Sequence, residues 1–323
     1  MERRTLGGTG LALSVVGLGG WQLGKGVGAG VRSTRDLRFG VDIVLHALDC
    51  GIDWIDVAAV YGRGFAETVV GEALRRWRTA HGDGGPIVLT KCGFEWDESS
   101  RAPRYCLSAD SVRRSVEASL GRLGVETLDI CLIHWPVPEQ QLEEGWQALA
   151  GLRAQGSVRH AGLSNCTSEQ LRACCEIAPV EVVEVPYSLA QPGVADDLLP
   201  SCAQGDVGVV VYAPQGTGLL TGALTRDAIR RLPAWDDRAQ TAPFREPALT
   251  RNLRIAEQLR DVAIGVGATA GQLAVAWALG HPVVASAIVG CESRAHVDDA
   301  VAVARRLGEL QRALVNAGLL ALD

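Results

Sequence analysis

The stretch DWIDVAAVYGRGFAETVVGEALRRWR, residues 53–78, holds the unit from which the chain is built. A short β-branched run over 53–57 reads as a buried strand, and residues 66–78 follow with apolar side chains at helical spacing. The same unit recurs outward in both directions. Strands are predicted at 14–18, 53–57, 86–90, 128–133, 158–163, 181–185, 207–212 and 284–289. Helical patterns fill 36–50, 66–78, 109–122, 139–155, 168–177 and 293–306. Alternation throughout implies parallel strands joined by helical crossovers. Eight strands in one uninterrupted series predict a closed (β/α)8 barrel of the TIM type, covering residues 1–323 as a single domain. The length of 323 residues exceeds the prior of about 150 for one domain, but α/β barrels run larger.

Two segments break the rhythm. Residues 213–249 make a long connection after the seventh strand, carrying Pro214, Pro233, Pro243 and Pro247, and long connections are commonly functional. Residues 250–280 carry two helical patterns, and 307–320 are expected to form an extra terminal helix. At the other end, Gly7-Gly8-Thr9-Gly10 predicts a β-hairpin. Arg3-Arg4 before an apolar stretch loosely suggests a twin-arginine signal, but glycines interrupt that stretch and no continuous apolar run precedes a cleavage site.

Composition narrows the class. The chain is 47% hydrophobic and 21% charged, with a net charge of −6, which gives no electrostatic case for nucleic acid or an anionic membrane as partner. No apolar run reaches membrane-spanning length. Nine cysteines form no Cys-x-x-Cys and are expected to be reduced thiols in a cytoplasmic protein. The vicinal pair Cys174–Cys175 is read the same way. The six histidines show no zinc-like spacing, so no metal is expected.

In a barrel of this type the chemistry gathers at the C-terminal ends of the strands. The residues there are Gly19-Gly20-Trp21, Asp56 to Tyr61, Lys91, His134, Ser164-Asn165, Tyr187, Tyr212 and Gly290. Four of them make a catalytic constellation. A phenol with a pKa near 10 is a poor acid at neutral pH, and a neighbouring ammonium lowers that pKa. Tyr61 beside Lys91 can therefore work as a general acid, with Asp56 holding the lysine charged and His134 orienting a carbonyl. Taken singly each has a plainer reading: Asp56 a helix N-cap, Lys91 a snorkelling strand-end cation, His134 a satisfied core histidine. A dinucleotide would find an aromatic wall in Tyr212, amide partners in Ser164 and Asn165, and glycine-exposed N–H groups in Pro214-Gln215-Gly216-Thr217-Gly218-Leu219. Gly24-x-Gly26-x-x-Ala29 and Gly265-x-Gly267-x-x-Ala270 fit a dinucleotide fingerprint only loosely and lack its strand–turn–helix setting. Trp21, Trp96 and Trp135 either line an aromatic pocket or belong to the core.

Ile55-Asp56-Val57-Ala58-Ala59-Val60-Tyr61-Gly62 with Glu67 and Gly71 resembles the Asp–Tyr signature of the aldo-keto reductases. Leu89-Thr90-Lys91, Leu128 to His134, Gly162-Leu163-Ser164-Asn165 and Gly218-Leu219-Leu220-Thr221-Gly222 resemble four further motifs of that family, in the same order. The resemblance implies a tetrad of Asp56, Tyr61, Lys91 and His134, and hydride transfer from a nicotinamide cofactor to a small-molecule aldehyde or ketone. It implies cofactor contacts from Gly20, Trp21, Asp56, Ser164, Asn165, Glu184, Tyr212, Pro214, Gln215, Gly216, Gly218, Leu219, Gly290, Glu292, Arg294 and His296. NADP(H) is the family default. Three positions depart from the family pattern: Glu184 replaces a Gln, Glu292 a basic residue, and Ala300 an Asn. Glu292 would repel a 2′-phosphate and can accept from a 2′-hydroxyl, while Arg294 can compensate, so NAD(H) use is open. Two other functions stay in view, an NAD-dependent sugar or alcohol dehydrogenase and a non-catalytic nucleotide-sensing subunit.

Overall fold

The computed structural model describes residues 1–25, 33–82, 84–96, 102–233 and 236–321. All eight predicted strands are present: β1 (Val16–Gly19), β2 (Trp54–Asp56), β3 (Ile87–Cys92), β4 (Leu128–Ile133), β5 (Val158–Ser164), β6 (Val182–Pro186), β7 (Gly208–Tyr212) and β8 (Val284–Gly290). They close into one parallel barrel in the order β1 to β8, with β8 pairing back onto β1. The main helices are α1 (Thr34–Asp49), α2 (Phe65–His81), α3 (Ala109–Leu123), α4 (Leu142–Ala154), α5 (Ser168–Ile177), α6 (Leu198–Gln204), α7 (Ala248–Val266), α8 (Ala270–Ala278) and α9 (Arg294–Asn316). Ser33, Thr167 and Thr269 start α1, α5 and α8 with reciprocal capping boxes, which supply partners to otherwise orphaned N–H groups.

The barrel interior is a packed layer of Trp54, Leu89, Ile130, Leu132, Val182, Val210 and Ile288, joined from below by Leu6 and Leu13. Trp54 is wholly buried, and its Nε1 donates to Ser14 O at 3.1 Å and Ser286 Oγ at 3.0 Å. Gly17 leaves room for it, since a Cβ there would stand 2.1 Å from the indole. The predicted hairpin forms, Arg3–Thr5 pairing with Ala12–Ser14, and plugs the lower end. The two arginines are structural: Arg3 pairs with Asp53 at 2.8 Å, and Arg4 donates to the carbonyls of Leu279 and Val284 at 2.8 and 3.0 Å.

Two expectations change. Residues 307–320 are not a separate helix, because α9 runs unbroken from Arg294 to Asn316, with Leu307, Leu310 and Leu314 continuing its buried face. An unforeseen hairpin, Phe94–Trp96 against Pro103–Tyr105, follows β3 at the upper rim. The long connection after β7 is built of 3-10 turns and a short helix, Arg226–Arg230, around a small core of Leu219, Ile229, Phe244 and Leu249. Among the described residues no single helix is long and apolar enough to cross a membrane.

Candidate active site

Side chains alternate in direction along a strand, so a residue two positions beyond an inward apolar one also points inward. Trp54 is followed in this way by Asp56, Leu89 by Lys91, Leu132 by His134, Val182 by Glu184, Val210 by Tyr212 and Ile288 by Gly290. The barrel is thus apolar up to one layer and polar in the next, at the mouth.

The centre of that layer is Lys91, fully buried. Its Nζ donates to Asp56 Oδ1 and, at 3.3 Å, to the carbonyl of Val57. On its other side lies Glu184 Oε2 at 3.1 Å. The ring of Tyr61 has its centroid 5.4 Å from the ammonium. Burial works against the charge on Lys91, but Asp56, Glu184 and Tyr61 outweigh it and hold its pKa well above the ordinary value. Burial raises Asp56 despite the ammonium beside it. Glu184 is pushed up to about 8, by burial first and by the Asp56 charge second.

Tyr61 corrects the sequence reading in one respect. Lys91 does pull its pKa down, yet burial acts more strongly and Asp56 and Glu184 add to it, so the phenol lies above its usual value. Tyr61 is held in its neutral, protonated form. The ring of His134 meets Tyr61 edge-on at 5.7 Å and Phe94 edge-on at 5.4 Å. Burial, with Lys91 nearby, depresses His134 well below the usual imidazole range, so it is neutral at physiological pH. Among the described residues its buried Nδ1 has no hydrogen-bond partner. A buried polar atom left unpaired costs stability and commonly marks a place for a ligand.

The second group of predicted residues is only partly brought together. Asn165, in left-handed conformation at φ 58°, donates from Nδ2 to His134 O and Ser164 Oγ, both at 3.0 Å, and its Oδ1 accepts from Tyr212 OH at 2.7 Å. Its amide braces the ends of β4, β5 and β7. Glu184, expected among the cofactor contacts, is buried and faces Lys91. Gly216 and Gly218 adopt φ of 58° and 95°, but their N–H groups are taken by Ala213 O and Gln215 O, so the glycines serve the turn rather than offering free donors. The Gln215 side chain turns to Gly271 at the start of α8, Pro214 is buried, and Leu219 belongs to the small core. Gly20 sits tightly on β2, where a Cβ would lie 2.6 Å from Asp56 O, and Trp21 beside it is 53% exposed. Trp135 is also exposed, and Trp96 is covered by the Arg63 guanidinium at 4.7 Å. Tyr187 leaves the mouth and packs on Trp277 at 4.9 Å.

At the β8–α9 junction, Gly290 and Glu292 are exposed. Arg294 is tied to Asp42 by two hydrogen bonds and is not turned to Glu292. His296 is held locally, its Nδ1 accepting from the Glu292 N–H at 3.3 Å. Ala300 is buried. A cation missed in the sequence is Arg238, on the long connection: it donates to Thr217 O at 3.4 Å, pairs with Asp236 and feels the Glu292 charge. Gly26 and Ala29 of the first loose fingerprint lie outside the described residues, and Gly267 of the second caps α7.

The sequence profile of the aldo/keto reductase family matches residues 15–315. The chain belongs to the aldo/keto reductase family. It is an NAD(P)H-dependent oxidoreductase. It is 30% identical over 313 residues to an NADH-specific methylglyoxal reductase of Escherichia coli (strain K12), covering 94% of this chain and 93% of that one. Its fold is similar to a glycerol dehydrogenase of Gluconobacter oxydans, with TM-score 0.82 and 30% identity over 99% of this chain and 97% of the other. A Klebsiella pneumoniae aldo/keto reductase solved with NADP and acetate aligns at TM-score 0.66 and 27% identity, over 95% and 93%.

Proposed function

We propose that this aldo/keto reductase reduces a small reactive aldehyde or ketone to the alcohol, with Tyr61 as proton donor, and that NADH serves it at least comparably to NADPH. The observation that carries the reading is the neutral Tyr61 phenol standing 5.4 Å, ring centroid to Nζ, from an ammonium held between the side chains of Asp56 and Glu184. The mouth fits a dinucleotide. Glycines at 216, 218 and 290 add no side chains of their own to the rim between β7 and β8, where Gln22 lies over Gly290, Tyr212 offers a half-buried ring, and Arg238 stands near Glu292. The bound cofactor supplies the hydride.

The rest is the work of the chain. His134, neutral, donates one ring N–H hydrogen bond to the carbonyl oxygen and fixes its direction. Tyr61 gives its proton to the developing alkoxide. Lys91 sits where negative charge then appears on the phenol, and Asp56 and Glu184 keep that ammonium in place. The raised pKa of Tyr61 keeps the phenol protonated in the resting enzyme, the form that reduction uses. A complete Asp–Tyr–Lys–His cluster also weighs against a purely nucleotide-sensing role.

Cofactor preference turns on Glu292. Arg294, which would neutralise a 2′-phosphate, is occupied by Asp42, and a carboxylate at this rim disfavours that phosphate while accepting from a 2′-hydroxyl. The NADH specificity named for the Escherichia coli relative agrees with this. The test is initial-rate oxidation of NADH and of NADPH with methylglyoxal, glyceraldehyde and a panel of simple ketones. Turnover of a small aldehyde with NADH supports the reading; no turnover with either cofactor across the panel contradicts it.

A further inference from the structure

We propose that His46, Cys50 and Asp298 form a binding site for a thiophilic divalent metal ion, zinc being the best match, that ties α1 to α9 on the outer ring of the barrel. His46 Nε2 lies 2.8 Å from Asp298 Oδ1 and 3.7 Å from Cys50 Sγ, and Cys50 Sγ lies 3.8 Å from the same Oδ1. Three atoms with those separations stand on a circle of radius about 2.0 Å, close to the length of a zinc–donor bond, roughly 2.0–2.3 Å to N, O or S. An ion slightly out of their plane touches all three and keeps a fourth position for water. A His–Asp ion pair accounts for the shortest contact. It does not account for a thiol facing both the imidazole nitrogen and the carboxylate oxygen of that pair.

The two helices supply this geometry. His46 and Cys50 are one turn apart on one face of α1, where Cys50 forms the C-cap. Asp298 is one turn into α9. One turn earlier on both helices, Asp42 pairs with Arg294, which sets the same parallel register. Entry is open, since the Asp298 side chain is 61% exposed. Thiolate with imidazole and carboxylate suits zinc and its neighbours rather than calcium or magnesium, which take oxygen donors. The proposed site departs from the sequence expectation of no metal, which searched for ligands close together along the chain. It is separate from the barrel mouth and independent of the proposed reaction.

Binding exchanges one ion for one proton: Cys50–SH plus M²⁺ gives Cys50–S⁻–M²⁺ plus H⁺. Apparent affinity should therefore rise by up to about tenfold per pH unit below the thiol pKa. The experiment titrates the reduced full chain with Co²⁺ and, by competition, Zn²⁺. The expected result is one equivalent bound, with a near-ultraviolet thiolate-to-cobalt absorption and a higher Tm with zinc. Cys50→Ser should remove that absorption, and both Cys50→Ser and Asp298→Asn should weaken zinc by at least about tenfold. Both variants should keep the parent Tm without metal, and Tyr61→Phe should bind as the parent does. No saturable binding up to millimolar metal, or an absorption unchanged in Cys50→Ser, would overturn the site.

Discussion

Two carboxylates and one ammonium, all buried, leave the Asp56–Lys91–Glu184 group one negative charge in excess unless it holds a proton. Burial of an uncompensated charge is expensive, so Glu184 keeps a proton to unusually high pH. Its pKa of about 8 stands above the ordinary 4.5. Between those values the folded chain binds more protons than the unfolded one, so the stability contributed by Glu184 is present at low pH and lost as pH rises through this window. Glu184→Gln should remove up to one proton from that slope, about 1.4 kcal/mol per pH unit at most. Denaturant unfolding at pH 6 and pH 8 reads it directly: an identical pH dependence in the variant would mean that Glu184 does not hold the proton. Tyr61, Lys91 and His134 were legible in the sequence because each follows a strand and carries chemistry of its own. The place of Glu184 was not. The signal was available in the parity of Val182 and Glu184, which repeats that of Leu89 and Lys91, but only once the inner face of each strand is known.

At the scale of elements, the polar brackets between helices and strands hold the mouth in shape. Glu67, buried on α2, accepts from Thr90 Oγ1 of β3 and from Arg122 Nε of α3, both at 2.6 Å. Glu67→Ala leaves both donors unpaired and should cost about 2–4 kcal/mol, less than a fully buried pair because Arg122 keeps part of its hydration. A fall of several degrees in Tm checks this, and a variant as stable as the parent would contradict it. In the proposed reading the β8–α9 junction sets the cofactor preference. Glu292→Arg should move the Kd ratio toward NADPH by about tenfold, the effect of exchanging a repulsive rim charge for an attractive one. Fluorescence quenching by both cofactors measures it, and no shift would show that Glu292 does not face the 2′ position. Sequence periodicity foretold the strands because their apolar runs are short and sharply bounded. It missed the Phe94–Tyr105 hairpin, whose three-residue strands carry no such run. It split α9 at 306–307, where Gly308 lies just past two arginines, although Leu307, Leu310 and Leu314 continue the buried face unbroken.

The whole molecule separates its tasks by layer. Trp54 and its neighbours fill the barrel below, the ionisable groups occupy the next layer, and the helices form the ring outside. The His46–Cys50–Asp298 trio illustrates why distant sites escape a linear reading, since Asp298 is separated from His46 by 252 positions. Because that trio lies on the outer ring, chelation by EDTA should lower the Tm of zinc-loaded protein while turnover persists, and a loss of turnover restored by zinc would contradict the proposed chemistry at the mouth. The most direct test of that chemistry is Tyr61→Phe, with NADH binding and aldehyde turnover measured on the same preparation. The variant lacks only the phenolic oxygen and its proton. The expected result is an NADH Kd close to the parent's and a kcat lower by about 10²–10⁴; a kcat equal to the parent's would contradict the assignment of Tyr61 as proton donor.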